Sequence, residues 1–300
     1  MKETNAAPLL KGFVRLGSTT DEIADKLGPL AGLVGTWKGS SGWNLIAVPS
    51  QKDGKPTFTL LIQQYSETIT FTPITAPVPN RGGATEQFIT GLLYELVIND
   101  LKSPNGVLHI ENGMWLNMTD VEVQPDGPVV ESNIVKPFAL ARMSGIPHGD
   151  VVIALGNAAV SSGPFEFPAI SAQPDHAGLP PVFGYTDPYT NNQFSAEFKA
   201  SNVNATLAAE AAKQTIGKVT TIFVDTENKG GSISNIPFVN DHVNPSRFQS
   251  TFWIEEVSEG DVSFMQLQYS QQADLNFIKK LNLPGDIMWP HVNVNTLKKI

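Results

Sequence analysis

From residue 35 onward, the chain consists largely of short runs in which apolar and polar residues alternate, separated by clusters of Gly, Pro, Asn and Asp. Alternation with a period of two places one face of a strand against a core and the other toward water. We count about ten to twelve such strands and find no internal repeat. Regular short strands joined by turns are typical of a barrel or a sandwich, so the sequence predicts a mostly β protein.

Residues 35–47 carry the feature that favours the barrel. Two tryptophans and several glycines share one predicted strand, which follows directly after a short helix. Strict alternation puts Trp37 and Trp43 on one face of this strand and Asn44 on the other. Glycines beside wide aromatic side chains suit a sharp bend at a barrel corner, because glycine has no side chain to clash. We therefore predict a single antiparallel up-and-down β-barrel with a lumen, in which the first and last strands pair.

The remaining elements follow from local signals. A helix opens at Thr19 or Thr20 with acidic residues in its first turn, and Gly28 with Pro29 kinks it ahead of the first strand. An alanine-rich run at residues 204–214 is the clearest helix. Further strands are predicted at residues 57–71, 87–98, 106–118, 129–136, 138–144, 151–155, 193–201, 218–225, 247–257, 262–269 and 286–297.

We divide the chain into a flexible N-terminal arm, residues 1–18, and one elaborated barrel domain, residues 19–300. The domain carries three insertions, at about residues 156–192, 203–216 and 226–245. The first insertion is rich in Gly, Pro and aromatic residues, so it is either a lid or a segment packed over the barrel by its aromatic side chains. Near the end of the chain, residues 271–281 are expected to be helical or to form a long turn.

Composition excludes several kinds of chemistry. The formal net charge is -9 and basic residues are scattered, which argues against a nucleic-acid partner. The absence of cysteine rules out disulfides, thiolate nucleophiles, cysteine-ligated zinc and iron–sulfur clusters, and leaves histidine as the best ligand for a transition metal. No apolar run approaches the length of a signal-peptide core or a membrane span, so we expect a soluble cytoplasmic protein without a membrane partner.

Three stretches carry a family resemblance, in the same order along the chain. Residues 30–39 read Leu-Ala-Gly-Leu-Val-Gly-Thr-Trp-Lys-Gly, residues 106–115 read Gly-Val-Leu-His-Ile-Glu-Asn-Gly-Met-Trp, and residues 289–297 read Trp-Pro-His-Val-Asn-Val-Asn-Thr-Leu. These stretches resemble the start, a middle strand and the last strand of the nitrobindin-like haem-binding β-barrels. That family shares the calycin or fatty-acid-binding-protein-like fold. The resemblance covers the barrel strands and leaves out the long loops, in which this chain exceeds compact family members.

The resemblance implies haem b in the lumen, with His291 as the proximal ligand of the iron. The strand of Trp37 then forms a wall of the haem site, because it pairs with the strand of His291 in a closed barrel. The implied chemistry is the binding of nitric oxide, the isomerisation of peroxynitrite or a weak peroxidase activity. The partner is then a small or diatomic ligand, and the sequence identifies no catalytic residue beyond the iron ligand.

Two other histidines are candidates near the iron. His148 lies on a Pro-His-Gly-Asp turn at a barrel mouth, where it is either a distal group above the iron or a solvated turn residue. His109 shares a strand face with Glu111 and is expected to pair with it. The alternative for His291 itself is a histidine at the start of a strand that forms hydrogen bonds only with solvent and binds no metal.

The other candidates carry weaker signals. Met114 is a candidate porphyrin contact, although ordinary core packing explains it and the other methionines equally well. His176 and His242 lie in loops and are expected to be solvated. Glu67 and Arg142 lie on strands, where they are either charges inside the lumen or residues of the wet outer face.

Alternation along the last strand has a consequence for the outside of the barrel. If His291 faces the lumen, so do Asn293 and Asn295, while Val292 and Val294 face outward. That apolar exterior has to be covered by the N-terminal helix or by another subunit, which suggests a homodimer. A bulge next to the proline that precedes His291 is the alternative, since it would shift the alternation by one residue.

Two other functions fit the same predicted barrel. An apolar lumen with an aromatic-rich lid also suits a metal-free carrier of a fatty-acid-like or lipid-like small molecule. A lumen filled with side chains would instead indicate a structural or interaction module.

Overall fold

The structure is a computed structural model that describes residues 25–82, 85–103, 106–122, 130–131, 137–163, 165–174, 186–191 and 198–300. Several predictions lie outside these residues. They are the arm at residues 1–18, the helix start at Thr19 or Thr20, the histidine His176, and most of the strands predicted at 129–136 and 193–201.

The described chain contains the strands β1 (Gly35–Lys52), β2 (Lys55–Arg81), β3 (Thr85–Asp100), β4 (Val107–Glu122), β5 (Val130–Glu131), β6 (Leu140–Ile146), β7 (Asp150–Ser162), β8 (Thr215–Asp225), β9 (Ser232–Asn235), β10 (Arg247–Glu259), β11 (Val262–Lys279) and β12 (Asp286–Lys299). A 3-10 helix (Gly28–Leu33) precedes β1. Three short α-helices follow later, α1 (Asp187–Asn191), α2 (Ala205–Ala211) and α3 (Pro237–His242).

Ten of these strands close into an antiparallel barrel, in the order β1, β12, β11, β10, β8, β7, β6, β4, β3, β2 and back to β1. β5 and β9 are short additions that pair with β4 and β7. The first and last long strands lie side by side, with Trp37 opposite Lys299 and Asn44 opposite Asn293. The predicted mostly β, calycin-like barrel is therefore confirmed, including its seam.

A bulge in β1 changes which side chains face the lumen. The register of β1 shifts between Gly39 and Gly42 against β2. Trp37 packs in the lumen, whereas Trp43 packs against the apolar cluster outside the barrel. The prediction that both tryptophans share one face was wrong, because the one extra residue of the bulge reverses the alternation.

Glycine is required at this bulge by close approach. A Cβ atom on Gly42 would lie 2.3 Å from the ring of Tyr65, and one on Gly39 would lie 2.2 Å from the carbonyl oxygen of Thr296. Neither position has room for a side chain, which explains why the bulge uses small residues.

The largest error in the predicted elements concerns residues 271–281, expected to be helical or a long turn. They belong mostly to β11, which runs unbroken to Lys279. Both faces of β11 are buried, so polar residues such as Gln271 and Gln272 are interior and alternation is lost. Two other strands also exceed their predictions, since β2 runs to Arg81 and β7 runs to Ser162, into the first predicted insertion.

The predicted helix at residues 204–214 is confirmed as α2. The described end of the neighbouring predicted strand, residues 198–201, has no strand structure. The connection at residues 226–245 contains β9 and α3.

Two apolar clusters lie on opposite sides of the barrel wall, one in the lumen and one outside it. The inner cluster fills the lumen and includes Leu30 and Leu33 of the 3-10 helix, which close one end of the barrel. The outer cluster packs Phe198, together with Val203 and Leu207 of the predicted insertion at residues 203–216, onto the outside of β1, β10, β11 and β12.

The outer cluster also settles what covers the last strand. Val292 and Val294 face outward, as predicted for a lumenal His291, and both are buried in the outer cluster. Their cover comes from the insertion of the same chain, and neither the N-terminal helix nor a second subunit is needed for it. A homodimer therefore remains a prediction, and the apolar outer face of β12 no longer argues for it.

Candidate functional site

Polar side chains form a buried layer across the middle of the lumen, centred on Arg142. Its guanidinium donates hydrogen bonds to Glu111 at 2.7 Å, to Ser250 at 3.1 Å and to Gln271. It also lies over several rings of the inner cluster, those of Tyr94, Trp115, Phe248 and Phe252. Arg142 is therefore a lumen charge, one of the two positions that the sequence left open.

Glu111 and Arg142 form an ion pair inside the barrel. Burial alone would raise the pKa of Glu111, but Arg142 and the neighbouring His109 hold that pKa well below its usual range. Burial would also lower the pKa of Arg142, and Tyr94 and Glu111 reverse this effect and raise it. Both groups are consequently charged, and their charges compensate each other.

Glu67 belongs to a second cluster of buried polar side chains, which lies next to the seam between β1 and β12. It accepts hydrogen bonds from Tyr269 Oη at 2.5 Å and Asn295 Nδ2 at 2.8 Å. The Tyr269 hydroxyl also lies 2.8 Å from that of Tyr65, which donates to the carbonyl oxygen of Val294 at 3.1 Å. Burial, the largest effect, raises the pKa of Glu67 to about 7.

His291 lies at the barrel end opposite the 3-10 helix. We call this end the mouth and define it by Asn44, Gln63, His109, His148 and His291. The Nε2 atom of His291 lies 2.8 Å from Asn44 Oδ1. Burial lowers the pKa of His291 to about 3, with further lowering by His109 and His148. His291 is therefore a neutral imidazole.

The other two histidines of the mouth lie close to each other. His109 and His148 have ring centroids 6.1 Å apart, and His109 Nε2 lies 3.3 Å from Glu111 Oε2. The predicted pairing of His109 with Glu111 is therefore present. His148 is exposed on the turn between β6 and β7. Burial raises the pKa of the adjacent Asp150, and the two histidines partly offset that rise.

Trp37 and Met114 are not brought to the mouth. Trp37 donates from Nε1 to the Leu33 carbonyl at 2.6 Å and lies opposite Lys299, at the closed end. Lys299 and His291 are eight residue steps apart along β12, which is about 26 Å at roughly 3.3 Å per residue. Met114 lies on the outer side of β4 and is 39% exposed. Of the four residues predicted to bind a cofactor, the structure brings together only His291 and His148.

The remaining described histidine, His242, lies away from the mouth. His242 is exposed on α3, where its Nδ1 donates to the Phe238 carbonyl at 2.8 Å. No group of three or more His, Cys, Asp or Glu side chains is arranged to hold a metal ion within the part of the chain that the structure describes. A haem iron needs only one such axial ligand from the protein.

Sequence reasoning missed Asn44 and Gln63 as residues of the mouth. Strict alternation put Asn44 on the same face as Lys38, and the bulge invalidates that alternation. The two glycines of the bulge, three positions apart, were the signal that would have revealed it.

The side chains of Trp115, Tyr269 and Phe252 pack the middle of the lumen tightly. A cavity of about 510 Å³ lies at the closed end, between the 3-10 helix and the inner faces of β7, β8, β10 and β11. Its lining is mostly apolar, with Lys218 and Glu256 among the lining residues. A second cavity of about 350 Å³ lies between outward side chains of β2, β3 and β4, including Met114.

Comparisons with family models, curated proteins and solved structures assign no family to this chain. No family model matches this chain, and no curated protein matches it. A solved structure, that of Rv2717c from M. tuberculosis, is similar at 14% sequence identity with a TM-score of 0.38, covering 93% of this chain and 97% of that one. Across the described residues, every helix is too short or too polar to cross a membrane.

Proposed function

We propose that the mouth binds haem b, with His291 as the axial ligand of the iron, and that the protein binds or transforms a small ligand there. The observation that carries this proposal is the state of His291. Its imidazole is neutral, its ring is oriented by Asn44, and its Nδ1 atom has no hydrogen-bond partner among the described residues and is not fully buried. A neutral ring nitrogen with a free electron pair is what iron ligation requires.

The packing of the lumen limits where a porphyrin fits. Because aromatic side chains fill the middle of the barrel, the porphyrin belongs at the mouth, with His291 on one wall. His109 and His148 are the polar groups available to a ligand in that region. Bound haem would supply an iron that takes a diatomic, peroxide or peroxynitrite ligand, in keeping with the family resemblance of the sequence.

Titration with ferric hemin tests the proposal. We expect a shifted, saturable Soret band with the unmodified protein, and loss of that band with His291→Ala because the only proposed axial ligand is removed. His242→Ala is the matched control, since His242 is an exposed histidine outside the mouth. An unshifted Soret band, or an identical shift in His291→Ala, would contradict the proposal.

A metal-free carrier is the second candidate, and the cavity at the closed end favours it. Its volume of about 510 Å³ lies within the range of roughly 300–1,000 Å³ usual for small-molecule sites, and apolar side chains dominate its lining. Native mass spectrometry of the purified protein distinguishes the candidates. A bound organic molecule without iron supports the carrier, and a Val160→Trp substitution in the lining of the cavity should then displace it. The matched control is Val262→Trp, at an exposed position at the start of β11.

A further inference from the structure

A chain of polar side chains leads across four neighbouring strands to His291. Asn44 on β1 is the direct cross-strand partner of Gln63 on β2 and of Asn293 on β12. Asn44 Nδ2 lies 3.0 Å from Gln63 Oε1, and Gln63 Nε2 lies 3.4 Å from Asp100 Oδ2 on β3. At the other end, Asn44 Oδ1 lies 2.8 Å from His291 Nε2 and 2.9 Å from Asn293 Nδ2.

The carboxylate at the start of this chain sets the direction of every hydrogen bond in it. Asp100 can only accept, and its other oxygen accepts from the backbone N–H of Lys102 at 2.8 Å. Gln63 must therefore donate with Nε2, which leaves its Oε1 as an acceptor. Asn44 then donates to Gln63 with Nδ2 and turns its Oδ1 toward His291, so the Nε2 atom of His291 must carry a hydrogen.

We infer that Asp100, Gln63 and Asn44 are positioning residues that hold His291 in the Nε2–H tautomer and present its Nδ1 electron pair to the mouth. Nδ1 is the ring atom without a hydrogen-bond partner among the described residues. The ligand class that it recognises is an electron-pair acceptor. The identity of that acceptor as haem iron rests on the proposed function, whereas the tautomer does not.

One isosteric substitution, Asp100→Asn, reverses the chain. The oxygen of the substituted side chain would still accept from the backbone N–H of Lys102, and its amide group would then donate toward Gln63. Gln63, Asn44 and Asn293 would each turn over, since Asn293 Nδ2 also donates to Asn44 Oδ1. Asn44 Nδ2 would then donate to Asn293 Oδ1 and to His291 Nε2, and the hydrogen of the ring would move to Nδ1. Because Asn has the same shape as Asp, we expect the variant to fold like the unmodified protein.

Long-range ¹H–¹⁵N correlation spectra of the apo protein measure the tautomer directly. We expect a pure Nε2–H form of His291 in the unmodified protein and a Nδ1–H form in Asp100→Asn. Asp120→Asn is the matched control, because Asp120 accepts from Gln87 at 2.8 Å in the same kind of amide–carboxylate pair away from His291. A Nδ1–H form in the unmodified protein, or an unchanged tautomer in Asp100→Asn, would overturn the inference.

Hemin titration of the same variants separates this inference from the proposed function. If His291 Nδ1 ligates the iron, Asp100→Asn should weaken hemin binding about 10- to 100-fold, the usual effect of losing a partner that orients a metal ligand, and Asp120→Asn should not. Unweakened binding in Asp100→Asn would overturn the role of Nδ1. Failure of the unmodified protein to bind hemin would remove the haem proposal, and the tautomer spectra would still decide the inference.

Discussion

At the scale of single residues, the buried carboxyl of Glu67 makes folding stability depend on pH. Its pKa is about 7 in the folded protein and ordinary in the unfolded chain, so the folded state binds the extra proton between these values. The stabilisation is complete below about pH 4.5 and is lost as pH rises toward 7, by about 3 kcal/mol for a shift of this size. Burial also raises the pKa of Glu255 to about 7, so this carboxyl likewise stabilises the folded state less as pH rises toward 7.

Glu67→Gln tests this dependence. The amide cannot ionise, so the free energy of unfolding of the variant should fall less steeply between about pH 4.5 and 7 than that of the unmodified protein. Urea denaturation at a series of pH values gives both curves. Glu256→Gln, at an exposed position beside Glu255, is the control and should leave the slope unchanged. Equal slopes for Glu67→Gln and the unmodified protein would show that Glu67 is ionised throughout this range.

At the scale of elements, the bulge of β1 brings the strand backbone against the ring of Tyr65. Gly42→Ala would place a Cβ atom 2.3 Å from the ring of Tyr65, which is itself bonded to Tyr269 and Val294. We expect a loss of about 1–3 kcal/mol in the free energy of unfolding, the usual cost of overpacking a core. Urea denaturation measures the loss.

Gly217→Ala is the matched control for this substitution. Gly217 also lies within a strand, and a Cβ atom there would meet its nearest neighbour at 3.6 Å, an ordinary contact. The control should therefore change stability by much less. A similar loss in both variants would indicate that general strand effects, rather than the contact with Tyr65, dominate.

The same elements show how far the sequence alone could lead. The lumenal direction of His291 follows from alternation in β12, a strand with no bulge between His291 and the C-terminal end of its pairing with β11. The position of Asn44 does not follow, because alternation fails across the β1 bulge. The end of β11 was also missed, since a strand covered on both faces carries polar residues on each. Arg142 and Glu67 remained ambiguous for a related reason, because only their partners show that their charges are buried.

At the scale of the whole molecule, the barrel and its insertion share a core. Leu207 of α2 is buried against the outside of the barrel, and its carbonyl accepts from Gln268 Nε2 of β11 at 3.1 Å. This contact supports the prediction that residues 19–300 form one domain, a prediction that remains to be tested.

Leu207→Ala tests whether the insertion and the barrel unfold together. We expect a loss of about 2–5 kcal/mol, the usual cost of truncating a buried leucine, spread over one cooperative transition. Near-ultraviolet and far-ultraviolet circular dichroism should give the same urea midpoint in the variant. Leu281→Ala, at an exposed position, is the control. Separate midpoints would indicate that the insertion unfolds independently of the barrel.

The bulge at Gly39 and Gly42 is a place where β1 can change its length without changing the mouth. Between these glycines, β1 has one residue more than the facing segment of β2 between Glu67 and Tyr65. Deleting one serine there would remove that extra residue, and regular pairing would leave Trp43 outside and Asn44 at the mouth beside His291. Among relatives of this protein, a length difference of one residue at this point should therefore leave the mouth intact, although it changes the spacing between the two tryptophans.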